Sequence, residues 1–285
     1  MAWQLTGDRE AFLATAGAFL RPHAAQNTIM LGAMEALRAR GAAAFGDGAP
    51  LFGWHASGGT VDAAFMHTPP YPVVLTTMSD GHAAELAAEL ARRGHRAPGV
   101  NAASGPGAAF AAAWQEHTGE AAQLGMRMRL YALDRLLPPE PAPPGGPRTA
   151  GAADRDLLLA WFDEFHDEAG PAGPRDSARE VDGRLGHGGL VFWEHEGRPV
   201  SLAGRTRAAA GQARIGPVYT PPRLRGRGFG GAATAAITQA ALDDGAEGVV
   251  LFTDLANPTS NTLYQRLGYR PISDWAVLRF TADEP

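Results

Sequence analysis

The sequence predicts an α/β (α+β) chain of two domains, and three observations carry that prediction. Helix-periodic and strand-like segments alternate along the chain, both halves show a similar order of elements, and a proline-rich stretch, Pro138 to Pro147, lies between them. Prolines fix φ and remove hydrogen-bond donors, so this stretch reads as a semi-rigid linker (138–147) between residues 1–137 and 148–285. The alternative is a long proline-rich loop inside one domain. At 285 residues the chain is long enough for each half to bury its own core.

In the first half a helix is expected from Asp8 to Leu20, with Phe12, Ala16, Phe19 and Leu20 on one face. A second follows from Thr28 to Arg40, with Met30, Leu31, Met34 and Leu37 inward. Short strands are expected at Leu51–Trp54, Thr60–Met66 and Val73–Thr76, then helices at His82–Arg93 and Gly107–Thr118, and a strand at Met126–Leu133. The second half runs in the same order. Helices are expected at Arg155–Asp167 and Ser177–Leu185, and strands at Leu190–Glu194, Val200–Thr206 and Ala213–Tyr219. A helix at Gly228–Asp244, a buried strand at Val249–Thr253, a short helix at Pro258–Leu267 and a strand at Trp275–Phe280 complete it. The shared order suggests an internal duplication of architecture without obvious sequence self-similarity.

Composition narrows the function. The net charge is −5, which argues against nucleic acid or an anionic membrane as the main partner. No apolar run is long enough to span a bilayer, and the N-terminus lacks the basic and apolar regions of a signal peptide, so the expected location is cytoplasmic. There is no cysteine, which removes disulfides, thiolate metal sites and a cysteine nucleophile. All 25 basic residues are arginine; without lysine neither a P-loop nor a pyridoxal Schiff base can be built. The nine histidines show no paired-ligand spacing, so no metal site is expected, and no G-x-S-x-G elbow occurs.

The sharpest signal is the turn Pro221-Pro222-Arg223-Leu224-Arg225-Gly226-Arg227-Gly228-Phe229-Gly230-Gly231, between a strand and a long helix. Glycines let the backbone curl so that successive N–H groups converge, and the helix behind adds its orphan amides and the positive end of its dipole. Between Arg205 and Arg227 stand six arginines and no acidic residue. These features suit a diphosphate. Gly226, Gly228 and Gly231 also fit the dinucleotide spacing G-x-G-x-x-G, but too few residues follow for the rest of a Rossmann sheet.

Arg225-Gly226-Arg227-Gly228-Phe229-Gly230 resembles the R-x-x-G-x-G signature of the GNAT superfamily of N-acetyltransferases. Gly216 to Pro221 looks like that family's strand leading into the loop. Thr253 to Pro258 and Asn261 to Tyr269 look like its later strand and helix. The resemblance covers most of Arg148 to Phe280. It implies a mixed, twisted sheet flanked by helices, splayed so that the pantetheine arm of acetyl-CoA lies between two strands. It further implies that the amides of Arg225, Gly226, Arg227, Gly228, Phe229 and Gly230 bind the diphosphate, and that backbone near Val218, Tyr219 and Thr220 pairs with the arm. Asn257 and Asn261 would contact it too, although Asn257 also suits the cap of the short helix. Tyr264 matches a position where many members keep a general acid for the departing thiolate; it equally suits a core tyrosine beside Leu263 and Leu267.

The base that takes the amine's proton is open, with Asp254, His166, Asp167 and Glu168 as candidates. Without a cysteine to carry the acyl group, direct attack in a ternary complex is expected. Residues 1–137 offer no glycine loop. Segments such as His67-Thr68-Pro69-Pro70-Tyr71 look similar to a region fused to some bacterial acetyltransferases, which implies a degenerate GNAT-like domain that shapes the acceptor pocket, makes a dimer contact or serves as a structural lid. The expected function is acetyl transfer from acetyl-CoA to a small-molecule or peptide amine by a monomer or homodimer. The rival is a non-catalytic acyl-CoA-binding module.

Overall fold

The computed structural model describes residues 3–169 and 175–281. Its contacts divide the described chain into two units, residues 3–128 with 273–281, and residues 129–169 with 175–272. Among the described residues no helix is long and apolar enough to cross a membrane.

The first unit opens with β1 (Gln4–Thr6), α1 (Arg9–Leu20), α2 (Thr28–Arg40), β2 (Leu51–Ser57), β3 (Thr60–His67) and β4 (Val73–Leu75). It continues through α3 (Asp80–Arg92), β5 (Gly99–Ala103), α4 (Ser104–Thr118) and the start of β6 (Ala121–Leu133). Asp8 caps α1 by accepting from the Glu10 and Ala11 amides, and Ser79 caps α3 by accepting from His82. Strands β1 to β4 pair antiparallel in sequence order, and β4 joins β5 in parallel with Val73 opposite Val100. Phe65, Val73, Leu86, Leu90, Phe110 and Trp114 form the core that α3 and α4 seal.

The second unit comprises the end of β6, then β7 (Gly146–Thr149), α5 (Arg155–Ala169), α6 (Ser177–Leu185), β8 (Leu190–His195), β9 (Arg198–Arg205) and β10 (Gln212–Tyr219). It ends with α7 (Phe229–Asp243), β11 (Gly248–Asp254), α8 (Pro258–Arg266) and the start of β12 (Tyr269–Thr281). The order is β11-β10-β9-β8-β7, with β10 and β11 parallel and the other pairs antiparallel. The core side of α7 is mostly small; Ala232, Ala233, Ile237 and Ala241 lie against Ala203, Ala213, Ile215, Val249 and Leu251. The segment 138–147 lies within this unit. Trp193 Nε1 donates to the Pro144 carbonyl at 3.0 Å, and Pro147 sits in β7, the edge strand, opposite Trp193. An edge position tolerates proline because one side of the strand needs no donor.

Both halves therefore read strand, two helices, three strands, helix, strand, helix, strand. Their last strands are exchanged. In the first unit β5 pairs antiparallel not with β6 but with the end of β12, Gly99 opposite Arg279 and Ala103 opposite Trp275. In the second unit the neighbour of β11 is β6. Three short strands, β1, β5 and β7, have no counterpart in the elements expected from sequence.

Candidate active site

The parallel ladder between β10 and β11 runs from Gln212 opposite Gly248 to Ile215 opposite Leu251, and stops there. Toward β9 the register of β10 shifts between Ile215 and Val218, and Gly216 takes φ +147. This irregularity turns the end of β10, Val218 and Tyr219, out of line with β11. The two strands part where the chain enters the glycine turn.

That turn runs through a 3-10 segment, Pro222–Leu224, to Gly226 at φ +75 and Gly228 at φ +82. Both are left-handed conformations that a side chain disfavours, and alternation with Arg225 and Arg227 curls the amides to one side. Gly228 is the N-cap of α7 and offers no side-chain cap. The first amide to bond back is Ala232, to the Gly228 carbonyl at 3.1 Å, so the amides of Phe229, Gly230 and Gly231 point out of the helix end. Phe229 is buried and anchors the helix start, while residues 225–228 are exposed. A Cβ on Gly226 would meet nothing within 4 Å, which leaves open space over the amides. The residues present fit a diphosphate.

The arginines divide by role. Arg205 forms an ion pair with Asp244, and Arg207 donates to the Gly186 carbonyl. Arg225 donates through Nε to the Thr220 carbonyl at 2.8 Å and through Nη2 to both carboxylate oxygens of Glu168 at 2.7 and 2.6 Å. Arg223 and Arg227 form no ion pair among the described residues. The local positive field therefore rests chiefly on these two and the helix dipole.

One neighbour of the loop, Glu164, was not singled out in the sequence. Trp161, Glu164 and Glu168 lie at helical spacing on α5. Glu164 accepts from the Tyr219 hydroxyl at 2.6 Å, with Trp161 against the same ring at 5.9 Å. Burial, then the bond to Glu164, pushes the Tyr219 phenol up to about 12. Ser201 donates to the Tyr219 carbonyl at 3.1 Å and lies 2.8 Å from Thr220 Oγ1. Thus Val218, Tyr219 and Thr220 hold their place through β9, α5 and Arg225. Period-three-and-four spacing applied to acidic as well as apolar residues of α5 would have found Glu164.

At the far side of the opening, Asn257 Oδ1 accepts from the Ser260 amide at 3.0 Å and caps α8. Asn261 Nδ2 donates to the Asp254 and Asn257 carbonyls at 2.8 and 2.7 Å, and its Oδ1 accepts from Tyr131 at 2.8 Å. Gln265 donates to the Tyr131 hydroxyl at 3.2 Å. Asn261 therefore binds the turn between β11 and α8 to β6. Tyr264 is buried in the core beside Tyr269, with ring centroids 6.2 Å apart, and burial pushes its phenol up to about 12. Among the described residues its hydroxyl has no hydrogen-bond partner.

The base candidates are all engaged. Asp254 Oδ1 accepts from the Ala256 amide at 2.8 Å, and Asp167 pairs with Arg175. Glu168 holds Arg225. His166 Nε2 stands 3.3 Å from Glu180, and its Nδ1 3.4 Å from Ser177.

Parallel strands whose pairing stops short, a left-handed glycine turn and a helix start with outward amides lie together at one end of the sheet. Residues 155–269 match the model of the acetyltransferase (GNAT) family. Solved structures share the fold over nearly the whole chain. A Drosophila protein is 13% identical, with 99% of each chain covered and a TM-score of 0.71. A GCN5-related N-acetyltransferase from Sphaerobacter thermophilus is 19% identical, covering 97% of this chain and 95% of that one at a TM-score of 0.60. A GNAT-family acetyltransferase from Colwellia psychrerythraea is 10% identical, covering 98% and 99% at 0.58. No curated protein matches.

Proposed function

We propose that the chain is an N-acetyltransferase that moves the acetyl group of acetyl-CoA to an amine by direct attack in a ternary complex. The observation that carries this reading is the parting of β10 from β11 beyond Ile215, leading directly into the left-handed Gly226 and Gly228 at the start of α7. The thioester supplies the activated acetyl group. The amides of residues 225–230 hold the diphosphate, with Arg223 and Arg227 adding charge, and the free edge of Val218 offers main-chain partners to the pantetheine amides. Asn257, whose Oδ1 caps α8, keeps its Nδ2 for the arm.

The amine nitrogen bonds to the acetyl carbon, the C–S bond breaks, the nitrogen loses a proton and the thiolate gains one. Tyr264 is assigned the thiolate. A phenol raised to about 12 keeps its proton throughout the neutral range. It is a weaker acid than a thiol of pKa about 8.5, so its part is to donate a strong hydrogen bond to the developing thiolate, with water completing the transfer. Asp254, at the mouth of β11, is assigned the amine's proton through a water. The first unit keeps the order of elements without the glycine turn, and we read it as a degenerate GNAT-like domain.

Release of CoA, followed with a thiol reagent over a panel of amines and peptides, tests the proposal. Acceptor-dependent release is expected. Acetyl-CoA binding without release under any acceptor would replace the enzyme with an acyl-CoA-binding module, and no binding would remove both.

A further inference from the structure

A second site lies in the first unit, on residues that the glycine turn and its chemistry do not use. His55 on β2, Asp62 on β3 and His82 in the first turn of α3 each present one donor atom, and all three atoms lie within 4.8 Å of one another. His55 is buried, and its Nδ1 stands 2.7 Å from Asp62 Oδ1. The His55 and His82 rings lie 4.2 Å apart between centroids.

The backbone makes this meeting specific. In the β2–β3 ladder His55 is opposite Ala63, yet the next residue, Ala56, is opposite Val61. Asp62 is the extra residue of a β-bulge. In a regular strand Asp62 would face away from Ala63 and hence away from His55, because side chains alternate. The bulge turns it to the His55 side, which is the re-aiming that bulges perform beside functional sites. His82 is fixed from the other direction. Its amide donates to Ser79 Oγ at 3.1 Å, and its carbonyl accepts from Trp3 Nε1 at 3.2 Å. The Trp3 ring also stands 5.9 Å from that of His55, so one indole packs by the His55 imidazole and holds the His82 backbone.

We propose that His55, Asp62 and His82 form a binding site for a divalent transition-metal ion of zinc's borderline class. Two imidazoles and a carboxylate are donors this class prefers, and three protein ligands leave a coordination position for water. A tetrahedral ion with bonds of about 2.0–2.1 Å needs donors roughly 3.3 Å apart. Asp62 and His82 are half-buried rather than sealed, so the carboxylate can withdraw from His55 and the His82 ring can close in by side-chain rotation. The site would tie two strands and a helix together. Sequence spacing hides it, since the ligands come from three elements and the bulge that aligns them is a feature of pairing.

Equilibrium dialysis of the EDTA-stripped, full-length chain against zinc chloride, with metal measured by atomic emission, tests it. About one zinc per chain is expected for the wild type and for His117→Ala, which removes an exposed histidine of α4. Asp62→Asn keeps the shape and still accepts from His55, so it preserves the fold; its affinity should drop at least about tenfold, the lower end of what losing even an outer partner costs. His82→Ala should do the same. Cobalt chloride should give a visible absorption band in the wild type that both variants lack. No zinc uptake by the wild type, or uptake by folded Asp62→Asn equal to it, overturns the site. Neither result bears on acetyl-CoA binding, so this site and the transferase reading stand or fall separately.

Discussion

Replacing Gly228 with alanine separates the conformational role of the turn from its binding role. At φ +82 an alanine costs about 1–2 kcal/mol if it holds the left-handed conformation. No collision adds to that, because the new Cβ would meet only Pro143, at 3.7 Å, which is ordinary contact. The variant therefore folds. If residue 228 instead relaxes to negative φ, the conformational cost disappears but the amides of Gly228 and Phe229 swing off the diphosphate. A hydrogen bond to a charged group contributes about 1.5–3 kcal/mol, so losing one weakens acetyl-CoA binding roughly ten- to a hundredfold. Gly58→Ala is the matched control. Its φ is +59, nothing stands within 4 Å of its Cβ, and it lies in the turn between β2 and β3. Calorimetric titration with acetyl-CoA, alongside thermal unfolding, reads both effects. Gly58→Ala should lose stability and bind normally, while Gly228→Ala should bind weakly. A folded Gly228→Ala that binds as tightly as wild type refutes the assignment of these amides to the diphosphate.

Tyr264→Phe removes from a buried tyrosine a hydroxyl without a hydrogen-bond partner among the described residues, so stability should hold while kcat falls by about 10²-fold or more at unchanged KM for acetyl-CoA; unchanged kcat would leave Tyr264 as core. His67 lies 2.7 Å from His95, and burial, then the charge of His95, pushes it down from 6.5 to about 4. The unfolded chain takes up a proton that the folded chain refuses between those values, so this contribution is intact above about 6.5 and declines as pH falls toward 4, by up to roughly 3 kcal/mol. Urea unfolding at pH 7 and pH 5 should show the drop in wild type and a smaller one in His67→Gln; equal drops would refute it. A chain ending at residue 128 lacks the partner of β5, Trp275 to Arg279, and should show no cooperative melt by circular dichroism; a sharp melt would show that the exchanged strand is dispensable.

Elements with strong periodicity were legible to the residue, as in α2 (Thr28–Arg40) and α6 (Ser177–Leu185). The strands that escaped owe their existence to pairing rather than to composition. Gly99-Val-Asn-Ala-Ala103 has little β-propensity and becomes β5 because β4 and β12 flank it. Pro147 argues against a strand until an edge position is known. At the site, the left-handed glycines could be read from the sequence because their positive φ is a conformation that glycine adopts without strain. The contacts of Glu164 with Tyr219 and of Tyr131 with Asn261 could not, since residues 55 and 130 positions apart meet only through the fold. The exchange of β6 and β12 was invisible for a related reason, because two halves with the same order of elements offer each last strand two equivalent places.

The two halves also show what distinguishes a binding helix end from a structural one. The helix after the third strand of the β-meander is α3 in the first half and α7 in the second. At α3 the N-cap is Ser79, in extended conformation, and its hydroxyl satisfies the His82 amide from within the chain. At α7 the N-cap is Gly228, left-handed and without a side chain, and nothing in the helix itself satisfies the first amides. A helix start has a fixed number of orphan donors, so a side-chain cap and an anionic ligand compete for the same groups. Serine at one position and glycine at the other are therefore what the proposed diphosphate site in the second half requires. In the first half the same helix end is closed, and its first turn instead carries His82 toward His55 and Asp62.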